Sequence, residues 1–184
     1  MLRMTMKANV ENMVSAITVN QKIDLKKFVK KVKGMEYNPE RFPGVVYRIR
    51  EPKLAMLIFS SGKIICTGAR SEEDIKKAVE NLLKKFKEGD IKIEGKPKIE
   101  IQNIVASAKM NFRVNLDLLA MECENTEYEP EQFPGLVFRL ALPKTVMLVF
   151  RSGKMIITGA KTSKDADKAA EATKNIIKDI GAVI

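Results

Sequence analysis

The chain aligns with itself without a gap when it is shifted by 91 residues. Between Glu36 and Ala78, 24 of 43 positions are identical to their counterparts in the second copy. The strongest matches are Glu36–Arg48 with Glu127–Arg139, and Ser61–Ala69 with Ser152–Ala160. A tandem duplication predicts two similar halves related by a pseudo-two-fold axis. We place the first repeat at residues 1–92 and the second at 93–184, and we expect their ligand to be roughly symmetric.

The charge of the chain points to a polyanionic partner. Its formal net charge is +10 and its pI is about 9.6, a balance that favours nucleic acid ahead of a membrane surface. Most of the excess lies in the first repeat. No signal peptide and no membrane-spanning apolar run is evident, which predicts a soluble, intracellular protein. Cys66 and Cys123 fit no disulfide or metal-binding spacing, so we expect both to be reduced, buried packing residues.

Each half has the pattern of a strand, a helix, three short strands, a long helix and a closing strand. In the first half, Asp24 is a predicted N-cap for Leu25–Lys33, and Ser71 is one for a helix that runs to about Lys87. Asn115 and Thr162 are the corresponding caps in the second half. The predicted strands of the first half are Ala8–Val19, Val45–Arg50, Leu54–Ser60, Lys63–Thr67 and Ile91–Glu94.

Several strands are apolar on both faces, notably Met56–Phe59 and Met147–Phe150. A strand with one solvated face should instead alternate apolar and polar residues. Two helices per half can cover only one face of so many strands. A sandwich or an obligate oligomer could hide the other face, but the interpretation we favour is an apolar sheet face kept open for a ligand.

Catalytic chemistry finds no support in the sequence. The chain has no histidine, which excludes Ser-His-Asp and Cys-His arrangements and nearly all common zinc catalytic sites. Gly62-Lys63 lacks the preceding glycine and the following Ser or Thr of a phosphate-binding P-loop. Glu127, Glu129 and Glu131 alternate along a predicted loop, where nothing indicates the burial that acid–base catalysis needs. We therefore predict no enzymatic activity, no metal and no cofactor.

Four phenylalanines, Phe42, Phe59, Phe133 and Phe150, form two pairs, each with a separation of 17 positions. Together with several short motifs they resemble the TATA-box-binding protein family from about residue 8 to 181. The motifs are Gln102-Asn103-Ile104-Val105, Arg48-Ile49-Arg50-Glu51-Pro52, Phe59-Ser60-Ser61-Gly62-Lys63, Thr67-Gly68-Ala69 and Tyr128-Glu129-Pro130-Glu131. Because Phe-Pro-Gly occurs in both halves and little sequence precedes the first repeat, the chain is more similar to archaeal than to eukaryotic members.

The resemblance implies an α+β saddle: one curved, ten-stranded antiparallel sheet with four helices on its convex face. It also implies a general transcription initiation factor that binds the minor groove of the TATA-box element in double-stranded AT-rich promoter DNA. The family is a well-known example of DNA bending by inserted side chains. Further implied partners are transcription factor B, the RNA polymerase pre-initiation complex and a second copy of the free protein. The implied location is the cytoplasm of an archaeal cell, at the nucleoid, or the nucleus if the source is eukaryotic.

The family likeness also assigns residues to roles. The DNA-intercalating side chains are Phe42, Phe59, Phe133 and Phe150. The minor-groove base contacts are Asn12, Val14, Pro43, Leu57, Ile65, Thr67, Asn103, Val105, Pro134, Leu148, Ile156 and Thr158. The phosphate contacts are Arg41, Arg48, Lys53, Lys63, Arg139, Lys144 and Lys154. The partner-binding loop, or stirrup, carries Glu127, Glu129 and Glu131.

Alternatives remain for several of these features. The asparagines could be hydrogen-bonding residues at strand ends, and the acidic loop could be a solubilising turn. The lysines of the predicted helices could be a solvated face or a docking surface for an acidic partner or flanking DNA. A protein-interaction scaffold that dimerises through the apolar sheet face is the competing function.

Overall fold

The computed structural model describes residues 6–184, and within them the chain forms ten strands and four helices. The first-repeat elements are β1 (Asn9–Thr18), α1 (Leu25–Lys31), β2 (Met35–Glu36), β3 (Val45–Ile49), β4 (Leu54–Ile58), β5 (Lys63–Ala69) and α2 (Glu72–Glu88). The second-repeat elements are β6 (Lys98–Lys109), α3 (Leu116–Glu122), β7 (Thr126–Glu127), β8 (Leu136–Leu140), β9 (Thr145–Val149), β10 (Lys154–Ala160) and α4 (Ser163–Asp179). The two halves thus repeat the same order of elements.

All ten strands belong to one sheet with the order β2-β3-β4-β5-β1-β6-β10-β9-β8-β7. The pairs within each half are antiparallel. The predicted α+β class, with ten strands and four helices, is therefore confirmed. The chain divides into two compact units, one of them Asn12–Gln102 and the other Asn103–Ile184 with residues that precede Asn12. The boundary between residues 92 and 93 stays a prediction, and residues 1–5 of the first repeat lie outside the described part of the chain.

The four predicted helix caps are confirmed. Each cap side chain accepts a hydrogen bond from the backbone N–H three residues later, which satisfies one of the free donors at a helix start. The pairs are Asp24 with Lys27, Ser71 with Asp74, Asn115 with Leu118 and Thr162 with Asp165. Helix α1 ends two residues earlier than predicted, because Val32 is already extended.

The predicted strand at Ile91–Glu94 is wrong. The N–H of Ile91 instead donates to the carbonyl of Phe86, and the N–H of Asp90 donates to that of Lys87. Asp90 has a φ of 58°, so these bonds form a Schellman motif that ends α2 and turns the chain away. The fifth strand of each half is a two-residue edge strand, β2 or β7, that the sequence did not indicate.

Each compact unit has its own core, between one face of its strands and its helices. In the first repeat, Met56, Ile58 and Cys66 of the strands and Ile75 and Leu82 of α2 are all at most 2% exposed. In the second repeat, Met147, Ile157 and Ala169 are among the corresponding buried residues. The strand residues in between are half-buried, so each unit leaves the opposite face of its strands partly open.

The cysteine prediction holds fully for only one of the two residues. Both thiols are free; Cys66 is buried, but Cys123 is half-buried. Burial raises the pKa of the Cys66 thiol, which keeps it protonated at neutral pH. Along residues 6–184, no helix combines the length and apolar composition that crossing a membrane requires. Among the same residues, no group of three or more His, Cys, Asp or Glu side chains could hold a metal ion.

Candidate functional site

Each unit presents a row of apolar side chains across three strands of its open face. Residues directly opposite each other in an antiparallel pair share a face of the sheet. In the first repeat Leu57 lies opposite Val46 on one side and Ile65 on the other. In the second repeat the equivalent row is Val137, Leu148 and Ile156. All six residues are half-buried, as are Val14 and Val105 on β1 and β6.

Several residues of these faces were absent from the sequence prediction, among them Val46, Ala55, Val137 and Val146. Ala55 lies opposite Thr67, and Val146 lies opposite Thr158. Ala55 and Val146 could have been found by counting back two residues from Leu57 and Leu148, since alternate residues of a strand share a face. Val46 and Val137 required the pairing register between β3 and β4 and between β8 and β9, which one sequence does not supply.

A pair of polar side chains lies beside each apolar row. In the first repeat, Asn12 Oδ1 accepts a hydrogen bond of 2.7 Å from the backbone N–H of Gly68, and Asn12 Nδ2 donates to Thr67 Oγ1 over 3.4 Å. In the second, Asn103 Oδ1 accepts from Gly159 at 2.7 Å, and Asn103 Nδ2 donates to Thr158 Oγ1 at 3.2 Å.

These bonds fix which atoms each Asn–Thr pair can offer to a ligand. The backbone N–H holds the amide oxygen, so the amide NH₂ group must point to the threonine. An NH₂ group has two hydrogens, and a hydroxyl that accepts through its oxygen can still donate its own hydrogen. Each pair can therefore donate two hydrogen bonds outward, one from the asparagine and one from the threonine.

A β-bulge in each unit creates this arrangement. Along β1 and β5 the register passes from Met13 opposite Ala69 to Ser15 opposite Cys66, so β5 holds one extra residue. The bulge includes Gly68, whose φ of 99° is in the region that favours glycine. Gly159 has a φ of 95° at the matching irregularity between β10 and β6. The bulges turn a backbone N–H out of the ladder and toward the asparagine.

The four predicted intercalating phenylalanines form two ring pairs, one in each unit. The ring centroids of Phe42 and Phe59 lie 5.7 Å apart with an interplanar angle of 66°. Those of Phe133 and Phe150 lie 5.9 Å apart at 69°. Edge-to-face geometry of this kind is favourable for aromatic pairs. Phe42 is 36% exposed and Phe133 is 43% exposed, although apolar rings of this size are usually buried.

A glycine seats each ring pair. A Cβ atom at Gly44 would lie 2.9 Å from Phe42 Cε1 and 3.1 Å from Phe59 Cε1. At Gly135 it would lie 2.8 Å from Phe133 Cε1 and 3.0 Å from Phe150 Cε1. This contact explains the glycine of each Phe-Pro-Gly motif, because any larger residue would push the two rings away from the backbone. Pro43 and Pro134, the middle residues of these motifs, are exposed.

The seven predicted phosphate-contacting residues are all exposed, but they occupy two kinds of position. Arg48 lies opposite Ala55, and Arg139 lies opposite Val146, so these arginines share the open face of their units. Lys63 and Lys154 begin β5 and β10 on the same face as Ile65 and Ile156. The others, Arg41, Lys53 and Lys144, lie in loops between strands.

The three glutamates of the predicted stirrup do not form one group. Glu127 lies in the edge strand β7, where its Oε2 is 3.8 Å from Arg139 Nη2. The first repeat has the same contact, with 3.6 Å between Glu36 Oε1 and Arg48 Nε. Glu129 and Glu131 lie in the exposed loop that follows. The loop glutamates are therefore available to a partner, whereas Glu127 belongs to a contact that both repeats share.

Comparison with known proteins shows the same duplication. The family model described as transcription factor TFIID (or TATA-binding protein, TBP) matches residues 7–89 and again residues 98–180. A TATA-box-binding protein of Archaeoglobus fulgidus is 46% identical over 177 residues, which is 95% of this chain and 97% of the relative. One from Sulfolobus acidocaldarius is 48% identical over 163 residues, 89% of this chain and 83% of the relative.

A solved structure gives the same result for the fold. The structure titled "Methanococcus jannaschii TBP" aligns with a TM-score of 0.84 and 45% sequence identity, over 95% of this chain and 98% of that one. The doubled match to the family model, the relatives that align along nearly their whole length and the shared fold agree with one another. The chain therefore belongs to the TATA-binding protein family of transcription factors.

Proposed function

We propose that this protein is a general transcription initiation factor that binds the minor groove of the TATA-box promoter element. The observation that carries the proposal is the donor-rich Asn–Thr pair beside an apolar row, built identically in both repeats. In the minor groove, an A·T pair presents only acceptors, adenine N3 and thymine O2, while a G·C pair adds the guanine amino group. The relatives are TATA-box-binding proteins, which supports the same function.

The apolar rows add to this discrimination. Leu57 and Ile65 in one unit, with Leu148 and Ile156 in the other, would lie against the groove floor. They fit A·T edges, but they offer no acceptor to a guanine amino group, which would then be buried without a partner. An unsatisfied buried polar group costs about 1–3 kcal/mol. The cost would apply at each position of the site where a G·C pair replaces an A·T pair beneath the apolar side chains.

In the same proposal the ring pairs bend the DNA. Phe42 with Phe59 would insert at one base step, and Phe133 with Phe150 at another. Partial unstacking costs on the order of a few kcal/mol per step, which is offset by the larger protein surface that a bent duplex contacts. The exposure of Phe42 and Phe133 in the free protein supports this role, since exposed rings are ready to contact a ligand.

The basic residues of the open face and its loops would bind phosphates. Such contacts position a protein on the duplex without reading its sequence. They also make affinity depend on salt, with a log–log slope of about −0.9 per neutralised phosphate. Arg41 in the first repeat is matched by Gln132 in the second, so the two ends of the site would be gripped unequally.

We further propose that the exposed loop with Glu129 and Glu131 binds transcription factor B, and that this complex recruits RNA polymerase. Carboxylates on an exposed loop can pair with basic side chains of a partner across an interface. The protein would act in the cytoplasm, at the nucleoid of an archaeal cell. Without DNA, the two apolar open faces could be covered by a second copy of the chain, which gives a homodimer.

A binding and bending assay tests the DNA proposal. We expect a duplex with an AT-rich TATA site to bind at least about 100-fold more tightly than its G·C-substituted version, since each mismatched pair costs about 1–3 kcal/mol. Fluorescence energy transfer between labels at the duplex ends should report a bend. The double variant Phe59→Ala/Phe150→Ala should reduce the bend most.

The matched control is Met121→Ala, which removes an apolar side chain that is 81% exposed on α3, outside both open faces. It should bind and bend like the wild type. Equal affinity for the AT-rich and G·C-substituted duplexes would refute the proposal. For the loop, Glu129→Arg/Glu131→Arg should abolish the complex with transcription factor B and leave binding to the TATA duplex intact.

A further inference from the structure

The surface of helix α1 differs in charge from the equivalent surface of the second repeat. Helix α1 and the two residues after it carry five lysines, all exposed, and the aligned positions carry none. The aligned pairs are Lys26 with Asp117, Lys27 with Leu118, Lys30 with Met121, Lys31 with Glu122, and Lys33 with Glu124. Helices α1 and α3 both have seven residues and the same type of N-cap bond. The fold therefore does not require these lysines.

These five lysines form the α1 basic patch, which lies beside the end of α2. The rings of Phe28 in α1 and Phe86 in α2 lie 5.2 Å apart, and Lys31 is hydrogen-bonded to Asp90, just beyond α2. Asp24 at the N-cap of α1 and Asp90 lie beside the patch, and Glu88 is the last residue of α2. Two of these are ion-paired, Asp90 with Lys31 and Glu88 with Lys85. The patch thus keeps a clear positive excess.

The α1 basic patch lies on the opposite side of its unit from the open face. Phe28 and Phe86 are fully buried, and they belong to the helix side of the sheet with Met56 and Ile58. Leu57 lies between these two strand residues and points to the open face. A ligand on the open face therefore leaves the patch exposed.

The surroundings of the patch favour a phosphate backbone over a protein partner. Protein interfaces depend on a few large apolar or aromatic anchors surrounded by polar residues. Among the described residues, the exposed large hydrophobic side chains lie outside α1 and α2. Phosphate contacts need no such anchor, because they arise from point charges and counterion release. In contrast, the matching surface of the second repeat has the exposed Met121.

We propose that the α1 basic patch is a second DNA site, which binds the sugar-phosphate backbone of another duplex segment without reading its sequence. The protein can then hold two DNA segments, one on each side of the sheet. The four patch lysines other than Lys31 would neutralise about four phosphates, which gives a salt slope of about −3.6. Affinity at the patch should fall about 100-fold as salt rises from about 50 to about 200 mM.

The protein is first mixed with one equivalent of a labelled AT-rich duplex, which fills the tighter open-face site. The test then measures capture of a G·C-only duplex of another colour. The wild type should form a particle with both labels, and its second binding step should show the salt slope given above. The variant Lys26→Asp/Lys30→Gln/Lys33→Glu should lose at least about 10-fold in the second step and keep the first. Its Lys31–Asp90 contact stays intact, and Lys26→Asp and Lys33→Glu copy residues of the second repeat.

A matched control changes the same charge elsewhere: Lys96→Glu/Lys164→Asp/Lys168→Gln, three exposed lysines outside the patch. An equal loss in the control would overturn the proposal in favour of a general charge effect. So would the absence of a two-colour particle, or displacement of the G·C duplex by polyglutamate more readily than by unlabelled duplex, which would indicate an acidic protein partner. If the triple variant melts early, Lys26→Gln/Lys30→Gln/Lys33→Gln takes its place.

The same experiment separates this inference from the proposed function. Phe59→Ala/Phe150→Ala should weaken binding of the AT-rich duplex and leave the G·C duplex bound at the patch. If the open face bound no DNA at all, the G·C duplex alone would still bind the wild type and would be lost in the patch variant.

Discussion

The two repeats differ least on their open faces and most on their helices. The ring pairs match within 0.2 Å in centroid separation, 5.7 and 5.9 Å. The Asn–Thr pairs use the same bonds, and both glycines at the bulges have positive φ. The helix surfaces, by contrast, change sign between α1 and α3. Duplication has kept what would contact a near-symmetric ligand and has changed what distinguishes one end of the protein from the other.

The helix cores also differ, although the fold is shared. Helix α2 buries Ile75 and Leu82, whereas α4 buries the smaller Ala166 and Thr173 at the aligned positions. Strand residues differ as well: Phe138 is 1% exposed, whereas the aligned Tyr47 is half-buried. The two repeats therefore build the same fold with different buried side chains at aligned positions.

Because α2 buries larger side chains than α4, substitutions to alanine at aligned positions of the two helices should differ in their effect on the free energy of unfolding. This is the largest effect that we predict. Leu82→Ala should lower the free energy of unfolding by about 2–5 kcal/mol, because it leaves a cavity in a packed core. Thr173→Ala should cost about 1–2 kcal/mol, since it removes one methyl group and the hydrogen bond to the carbonyl of Ala169. Chemical denaturation of both variants measures the two values. Equal losses would show that the two helices carry the same share of the packing.

A second prediction concerns the similarity of the open faces. Asn12→Asp and Asn103→Asp keep an oxygen for the N–H of Gly68 or Gly159, but they replace outward donors by a carboxylate. Each should weaken binding of an AT-rich duplex by about 1–3 kcal/mol, or about 5- to 150-fold, with little change in melting temperature. Competition binding with the TATA duplex measures the loss.

Asn12→Ala and Asn103→Ala are the controls, because they remove the donors without adding charge. Equal losses at the two positions would mean that the groove is read symmetrically. Unequal losses would locate the polarity of the complex in the open faces and would contradict the assignment of polarity to the helix surfaces. A large drop in melting temperature would mean that the asparagines are structural residues of the bulge.

The sequence predicted those parts of the fold that depend on neighbours along the chain. The four N-caps and the two long helices each follow from residues close together in the sequence, and the structure has them. The repeat matched Asn12 with Asn103 and Thr67 with Thr158, but only the structure shows that each asparagine is hydrogen-bonded to its threonine. The family resemblance then supplied the ten-stranded sheet.

The remaining features of the fold and of the site depend on contacts between residues that are far apart along the chain, and one amino-acid sequence does not reveal these contacts. Val46 and Val137 join the apolar rows only through the register of their strands. The edge strands β2 and β7 have two residues each, too few for a pattern of alternation. Ile91–Glu94 has the apolar–polar alternation of a strand. The left-handed backbone at Asp90 instead turns the N–H of Ile91 toward the carbonyl of Phe86, and this bond ends helix α2.

The C-terminal end of α2 also differs from that of α4. A substitution there should have the smallest effect on stability that we predict. Asp90, with a φ of 58°, occupies the position that Gly181, with a φ of 73°, occupies after α4. Glycine adopts this backbone freely, while an aspartate is tolerated there less well. The hydrogen bond and charge of Lys31 lower the pKa of the Asp90 carboxyl below its ordinary value. The first repeat thus replaces a favourable cap residue by an ion pair with α1.

Asp90→Asn keeps the side-chain shape and its tolerance of positive φ but removes the charge. A carboxyl group whose pKa is lowered by folding stabilises the protein above its unfolded-state pKa, and this stability is lost as pH falls through the folded-state pKa. The wild type should therefore melt slightly above the variant at pH 7, by less than about 2 °C for an exposed pair. The difference should begin to shrink near pH 4, about the ordinary pKa of an aspartate. It should vanish only below the lowered pKa of Asp90 in the folded state. Asp90→Gly, which copies the second repeat, serves as the comparison: it loses the pair but gains the better cap. A difference between wild type and Asp90→Asn that persisted at low pH would mean that the shape of the cap, and not its charge, distinguishes this helix end from its counterpart.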